Sequence, residues 1–523
     1  MSEKSVAYFC MEYGLDSKLH TYSGGLGVLA GDILKASKDM DKKVVGVGIL
    51  WSKGYVEQFN FGAKVINKYY SHNYAYIKDL VDEFKVTIGD QEIDVELYKT
   101  EAYENVPLYL IDTNVDSNSY EQRQLTSKLY AGDHRQKIFQ QVLLGKAGIK
   151  ALERLDINPD IIHMNESDSE FAGLEILDKN IQELSREEAY SKTREKVRFT
   201  THTPVEAGNP KFSYQLLQET GVTDTYPRID FKELGGSPFN TTLACLRIAG
   251  ETNAVSKRHE TVANDMWSSF DRISEINGIT NGVHLPTWQS KKIKEAESDE
   301  DLWEAHQKEK KMLIKSMNVD LDMEKPLVGF ARRFTNYKRP MLLFRNEDKF
   351  NELLERFNII FAGKAHIADD EGQYMVNQIY QKSEERDPII WIENYDINDA
   401  MRLVKGCDVW LSSPVPKKEA CSTSVIKAAA NGNLNLSIPD GWCWEAIEDG
   451  ENGWLFGDDE PLKDREEQDK KDVEALFRTL EEKVIPLYEN NRAKWIEMMK
   501  KSVETGEKYS AKNMIEKYDK KLW

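Results

Sequence analysis

Short apolar runs of strand length recur along this chain, each followed by a longer helix-like stretch, and that alternation restricts the fold more than any other feature. Val44–Ile49, Asp160–His163, Val197–Thr201, Leu327–Ala331, Asn358–Ala362, Pro388–Ile392 and Asp408–Leu411 are such runs. They lack the apolar–polar alternation of a half-exposed strand, so they suit parallel strands buried on both faces and joined by crossovers. The pattern is present twice, on either side of a charged, helix-like stretch from Lys291 to Lys315. The economical architecture is α/β, with two doubly wound, Rossmann-like domains facing a cleft. The expected boundaries are 1–286 for the first domain, 287–324 for a connecting helical segment and 325–500 for the second domain. Residues 501–523 are expected to form a C-terminal helix able to pack back on the first domain. Ligands of such folds bind at the carboxyl ends of the strands, which points to the cleft.

Composition excludes several function classes. The 523 residues carry a net charge of −19, so nothing in the overall charge draws the chain to nucleic acid or anionic lipid. A hydrophobic share of 40% supports a large core, and no apolar run is long enough to span a membrane. Met1–Ser5 leads into a mixed segment and not into a secretory apolar core. Cys10, Cys245, Cys407, Cys421 and Cys443 are odd in number and form no C-x-x-C pair. A disulfide framework and a metal site are therefore not expected, and a reducing cytoplasm is.

Three segments carry chemistry. Tyr22-Ser23-Gly24-Gly25-Leu26-Gly27 precedes a helix-like stretch, where backbone amides could face an anion; a ligand-free tight turn is an equal reading. Arg332-Arg333-Phe334-Thr335-Asn336-Tyr337-Lys338-Arg339 places four cations just after the strand Leu327–Ala331. The run suits a phosphate clamp or a solvated basic surface. In Glu419–Gly432, hydroxyls precede an apolar helix bearing Lys427, either a snorkelling lysine or a buried amine able to form an imine.

Together these segments resemble the α-glucan (glycogen, maltodextrin) phosphorylases, especially their short prokaryotic forms. The similarity runs from Tyr22 to about Gly457. It rests on SGGLGVLAGD (23–32), VGVGILWSKGYVEQ (45–58), DIIHMNES (160–167), FTTHTPVEAGN (199–209) and NAVSKRHE (253–260). Further on stand ITNGVHLPTW (279–288), VGFARRFTNYKR (328–339), FAGKAHIADDEGQ (361–373), ENYDINDAMRLVKGCDVWL (393–411) and EACSTSVIKAAANGNLNLSIPDGW (419–442). The resemblance implies the two-domain glycosyltransferase type B fold.

It also implies phosphorolysis of the terminal α-1,4-linked glucose of a glucan or maltodextrin by inorganic phosphate, giving glucose 1-phosphate with retention. By the resemblance, Lys427 aligns with the lysine that holds pyridoxal 5'-phosphate as a Schiff base, with Thr423 and Gly25 near the cofactor phosphate. Lys338 and Arg333 fall on cationic positions around the phosphates, beside Tyr337 and Arg332. Gly24, Asn281, Tyr395 and Glu419 match substrate positions, and His202 falls in a matched cleft motif with a supporting role. In the family the cofactor's own phosphate exchanges a proton with the substrate phosphate, and two neighbouring phosphates need a dense cationic clamp. Family members are often dimers, and entry into the GGLG motif by residue 24 implies no N-terminal regulatory extension. The sequence departs from the family pattern at Ser422 and Val425, where glycine and Asn or Gly are usual. Cys421 replaces Ser, Ser167 replaces Gly, and Asp168 replaces His. Two other readings share these motifs. One is a nucleotide-sugar glucan glycosyltransferase, which would need no cofactor lysine; the other is a non-catalytic carbohydrate-binding relative.

Overall fold

The computed structural model describes residues 3–74 and 79–523. In the first half, strands β1 (Val6–Phe9) and β2 (Val44–Ile49) are followed by the hairpin β3 (Glu57–Phe61) and β4 (Lys64–Lys68). Then come β5 (Asp79–Ile88), β6 (Gln91–Thr100), β7 (Leu108–Asp112), β8 (Ile161–Asn165) and β9 (Val197–Thr200). The short pair β10 (Lys211–Phe212) and β11 (Phe239–Asn240), then β12 (Glu251–Ala254) and β13 (Ile276–Gly278), complete it. The second half holds β14 (Leu327–Ala331), β15 (Asn358–Ala362), β16 (Ile389–Ile392), β17 (Val409–Ser412), β18 (Leu434–Ser437) and β19 (Gly453–Leu455).

Nine strands form one sheet in the order β13-β12-β9-β8-β1-β2-β7-β6-β5, and six form a second in the order β16-β15-β14-β17-β18-β19. The second is parallel throughout. The first is parallel from β13 to β7, then antiparallel through β6 to β5. This is the glycosyltransferase type B architecture, and the apolar runs of the sequence are its buried strands. The antiparallel edge departs from a purely doubly wound reading. Phe84, Val86 and Ile88 of β5 are buried while Lys85 and Thr87 are exposed, the alternation of a strand with one wet face.

Strand order reverses between β1 and β8 in the first sheet and between β14 and β17 in the second. A crevice opens at each reversal because the flanking crossovers leave on opposite faces. The chain segments leaving both reversals line one cleft.

Three contacts fix the halves around it. The stretch from Lys291 to Lys315 is two helices, Lys291–Lys294 and Asp299–Met317, the longer capped by the Ser298 side chain. That longer helix is pinned to the second sheet by a cluster in which Lys310, His306 and Asp408 are fully buried. Lys310 Nζ lies 2.8 Å from Asp408 Oδ2 and donates to Tyr488 Oη at 2.9 Å, and His306 Nε2 lies 3.1 Å from Asp408 Oδ1. The hairpin β3–β4 leaves its own half and lies on the other: Asn67 Nδ2 donates to Gln373 Oε1 at 2.6 Å and Trp391 Nε1 to Asn60 Oδ1 at 3.0 Å. The helix Ala511–Lys521 returns to the first half. Its Met514, Ile515 and Tyr518 share a core with Tyr8, Ile33 and Leu34, and Trp523 Nε1 donates to His163 Nδ1 at 2.9 Å.

Candidate active site

The cleft has a volume of about 830 Å³ and is lined from both halves. On the first half, Gly24 ends an extended segment and the helix Gly25–Asp39 starts at Gly25. Glu12, at the β1 end, is buried beneath this loop and accepts from Ser23 N at 2.6 Å and Gly24 N at 3.3 Å. Two loop amides thus point at a carboxylate, and any anion is left to those that follow. Burial pushes the Glu12 carboxyl up, against the loop amides and Arg333. A Cβ on Gly24 would lie 3.4 Å from Arg333 Cδ, so that arginine already covers the loop.

On the second half, the basic run leaves β14 and makes a 3₁₀ turn, Asn336–Lys338. Its four cations separate. Arg339 turns away into a buried contact with Asp469 and Asp472, at 3.2 and 2.6 Å, and does not line the cleft. Lys338 is bound by Glu419, and Arg332 Nη1 lies 3.6 Å from the same carboxylate. Arg333 has no carboxylate within ion-pair distance among the described residues. Burial pushes Glu419 up, but Lys338, Arg332 and Arg333 outweigh it and hold the carboxyl below its ordinary value. Tyr337 lies under the Lys338 ammonium, 4.9 Å from ring centroid to Nζ. Asp440 fixes the Glu419 backbone, accepting from its N–H at 2.8 Å, and burial raises its carboxyl to about 7.

Lys427 stands on the short helix Thr423–Ala429, buried at the back of the cleft. Its Nζ lies 3.8 Å from the centroid of the Trp288 ring, and Trp288 Nε1 donates to both Asp32 oxygens at 2.9 and 3.0 Å. Burial lowers the amine to about 8, opposed by Asp32. Thr423 stands close to Gly25, with Thr423 Oγ1 3.9 Å from where a Gly25 Cβ would be, ordinary van der Waals contact. Asn281 Oδ1 is buried with no hydrogen-bond partner among the described residues, an open acceptor on the cleft wall. Tyr395 lines the wall, its phenol pushed far up by burial. His202 Nε2 lies 2.7 Å from Asn165 Oδ1, and burial lowers the ring to about 3, which keeps it neutral. The twelve residues singled out by the resemblance all line this one cleft.

The departures from the family pattern lie here too. Ser422 holds φ +67° and ψ +77°, the left-handed region that favours glycine. Asp168 Oδ1 accepts from Gln141 Nε2 at 2.5 Å and lies 3.5 Å from Lys137 Nζ, so its charge is compensated. Val425 is fully buried, facing the core and not the cleft. Sequence reasoning missed Glu12, Asp440 and Lys364. Lys364 and Asp440 lie inside the matched segments 361–373 and 419–442, and all three stand within three residues of a strand end.

The chain matches the model of the starch synthase catalytic domain over residues 10–259 and that of the group 1 glycosyl transferases over 314–465. It is 36% identical to the maltodextrin phosphorylase of Thermococcus litoralis, over 100% of this chain and 70% of that one. It is 35% identical to the glycogen phosphorylase of Aquifex aeolicus, over 100% of this chain and 86% of that one. An uncharacterized protein of Methanocaldococcus jannaschii is 32% identical over 99% of this chain and 100% of its own.

Proposed function

The chain belongs to the glycogen and maltodextrin phosphorylase family, and on that premise we propose that it is an α-1,4-glucan phosphorylase using pyridoxal 5'-phosphate. It would convert the terminal glucose of a glucan or maltodextrin and inorganic phosphate to glucose 1-phosphate with retention. The observation that carries this reading is a buried lysine of lowered basicity, Lys427, in the same cleft as a carboxylate-bound lysine and a free arginine.

The residues fit the cofactor. Lys427 would hold it covalently, since an amine near 8 is in part neutral at pH 7 and so able to attack a carbonyl. Val28, Leu29, Val404 and Trp288 give apolar walls for a planar ring, and Thr423 and the Gly25 backbone, side by side on the cleft wall, would hold its phosphate. When bound, the cofactor supplies a phosphate group that can exchange a proton with the substrate phosphate. Arg333 and Lys338 hold the substrate phosphate, with Tyr337 orienting the Lys338 ammonium. Glu419 and Asn281 accept from sugar hydroxyls, Tyr395 donates, and Gly24 lets the Arg333 stem lie close against the loop on the substrate side. His202, neutral, donates or accepts at the rim. The Lys338–Glu419 pair places a positive and a negative group side by side, so the anionic phosphate and a neutral sugar hydroxyl of one substrate can use both.

Absorbance of the purified protein in the near ultraviolet, lost in Lys427→Ala, together with release of glucose 1-phosphate from maltodextrin and phosphate, is the expected result. No bound pyridoxal after reconstitution overturns the reading. Product formed only from nucleotide-activated glucose would favour the transferase that both matched models name.

A further inference from the structure

Lys364 stands two residues past the end of β15, much as the basic run follows β14, and the two segments are packed backbone to backbone. Phe334 N donates to Lys364 O at 2.9 Å and Arg332 N to Ala362 O at 3.1 Å. A Cβ on Gly363 would lie 2.0 Å from Arg332 O. Lys364 lines the same cleft as Arg333, and neither has a hydrogen bond or ion pair from its charged group among the described residues. The other strand-end cations are already matched, Arg332 and Lys338 by Glu419 and Arg339 by Asp469 and Asp472.

The acids near Lys364 are engaged elsewhere. Glu57 Oε2 accepts from Asn394 Nδ2 at 3.1 Å. Asp396 caps the helix Ile397–Gly406 through Asn398 N and Asp399 N, and Asp399 is paired with Arg402. His20, on the opposite wall, is held neutral at about 4 by burial, with the stacked His72 ring and the Lys364 charge adding to it.

The loop that carries Lys364 is clamped by the other half. Gln58 of β3, itself buried, donates from Nε2 to Ala365 O at 2.7 Å and accepts from Ala365 N on Oε1 at 2.8 Å. His366 Nε2 lies 2.9 Å from Tyr130 O. The two residues that follow Lys364 are thus anchored across the cleft.

We propose that Lys364 is a further binding residue of this cleft, its ammonium donating to a phosphoryl group held in the cleft it shares with Arg333, and that Gln58 is the positioning residue that keeps it there. A buried ammonium with no hydrogen bond or ion pair is costly, and a phosphoryl dianion supplies the missing counter-charge. The inference rests on the phosphorylase reading for its assay. The phosphoryl group is that of the substrate or that of the cofactor.

The test compares wild type, Lys364→Met, Lys364→Arg and Gln58→Ala, each checked for folding by circular dichroism. Lys364→Met should raise KM for inorganic phosphate about tenfold or more, the usual effect of losing a charged hydrogen bond, with KM for glucan nearly unchanged. Lys364→Arg should restore most of the loss. In wild type, KM for phosphate should rise above pH 8, since burial lowers the Lys364 ammonium to about 8 against Glu57, Asp396 and Asp399. Lys364→Arg should abolish that rise, and Gln58→Ala should move it to higher pH because the freed loop hydrates the ammonium. Titrating pyridoxal phosphate into the apoproteins distinguishes the sources: weaker cofactor binding with an unchanged phosphate KM assigns Lys364 to the cofactor phosphate. Unchanged phosphate KM and unchanged cofactor affinity in Lys364→Met overturn the proposal. Calorimetric binding of inorganic phosphate separates it from the activity: phosphate bound through Lys364 without glucose 1-phosphate formation would refute the phosphorylase reading alone.

Discussion

Ser422 stands at the entrance to the helix of Lys427 with φ +67°, and substituting glycine there measures how much strain the cleft holds. A β-carbon in that region crowds the next carbonyl and costs about 1–2 kcal/mol. Glycine relieves the crowding but frees the unfolded chain, which takes back about 0.5–1 kcal/mol. The serine hydroxyl adds little on its own, since it lies 3.4 Å from both Arg332 Nη2 and Ser424 Oγ. The balance is a gain of about 0.5–1 kcal/mol for Ser422→Gly. Ser422→Ala keeps the β-carbon, removes the hydroxyl and should gain nothing. Urea denaturation followed by tryptophan fluorescence reads the difference, because Trp410 and Trp442 are buried beside this turn. The thermal midpoint should rise by about 1–3 °C for the glycine variant. Equal midpoints for the glycine and alanine variants would refute the assignment of strain to this residue.

Lys310→Met should destabilise the second half by about 3–5 kcal/mol, because Asp408 is left charged and buried; equilibrium unfolding checks it. Glu419→Gln should lower kcat/KM for glucan phosphorolysis at least about thirtyfold, since Lys338 loses its buried counter-charge, while the glutamine keeps the shape of the wall. Burial and the His72 and Lys364 contacts lower His20 from 6.5 to about 4, so its charged form is disfavoured in the folded state. Its contribution to stability is full above pH 6.5 and is lost as the pH falls toward 4. The melting temperature of wild type should therefore drop more steeply over that window than that of His20→Phe.

The parallel strands were legible because burial on both faces writes itself as an unbroken apolar run, as in Leu327–Ala331 and Asn358–Ala362. The cleft was legible for the same reason, since ligand-binding segments follow such runs. The hairpin β3–β4 was not, because it mixes polar and apolar residues without a buried run, and its contacts outside the hairpin come from residues more than three hundred positions away. Charge was legible in type and not in direction. Arg332, Arg333, Lys338 and Arg339 read as one cluster, yet Arg339 leaves the cleft for Asp469 and Asp472, carboxylates on a helix with no sequence signal linking it to the run. Ser422 was visible as a departure from glycine, but its left-handed backbone is a property of the turn and not of the residue.

The helix Ala511–Lys521 covers the flank of the helix Gly25–Asp39 and brings Trp523 against His163 of β8. The first half is therefore completed by a helix made only after the whole second half. During vectorial synthesis it waits with an apolar flank bare until residues 511–523 have emerged. A split gene would inherit the same defect: a fragment ending after β13 would carry a sheet and an exposed greasy face, prone to aggregation.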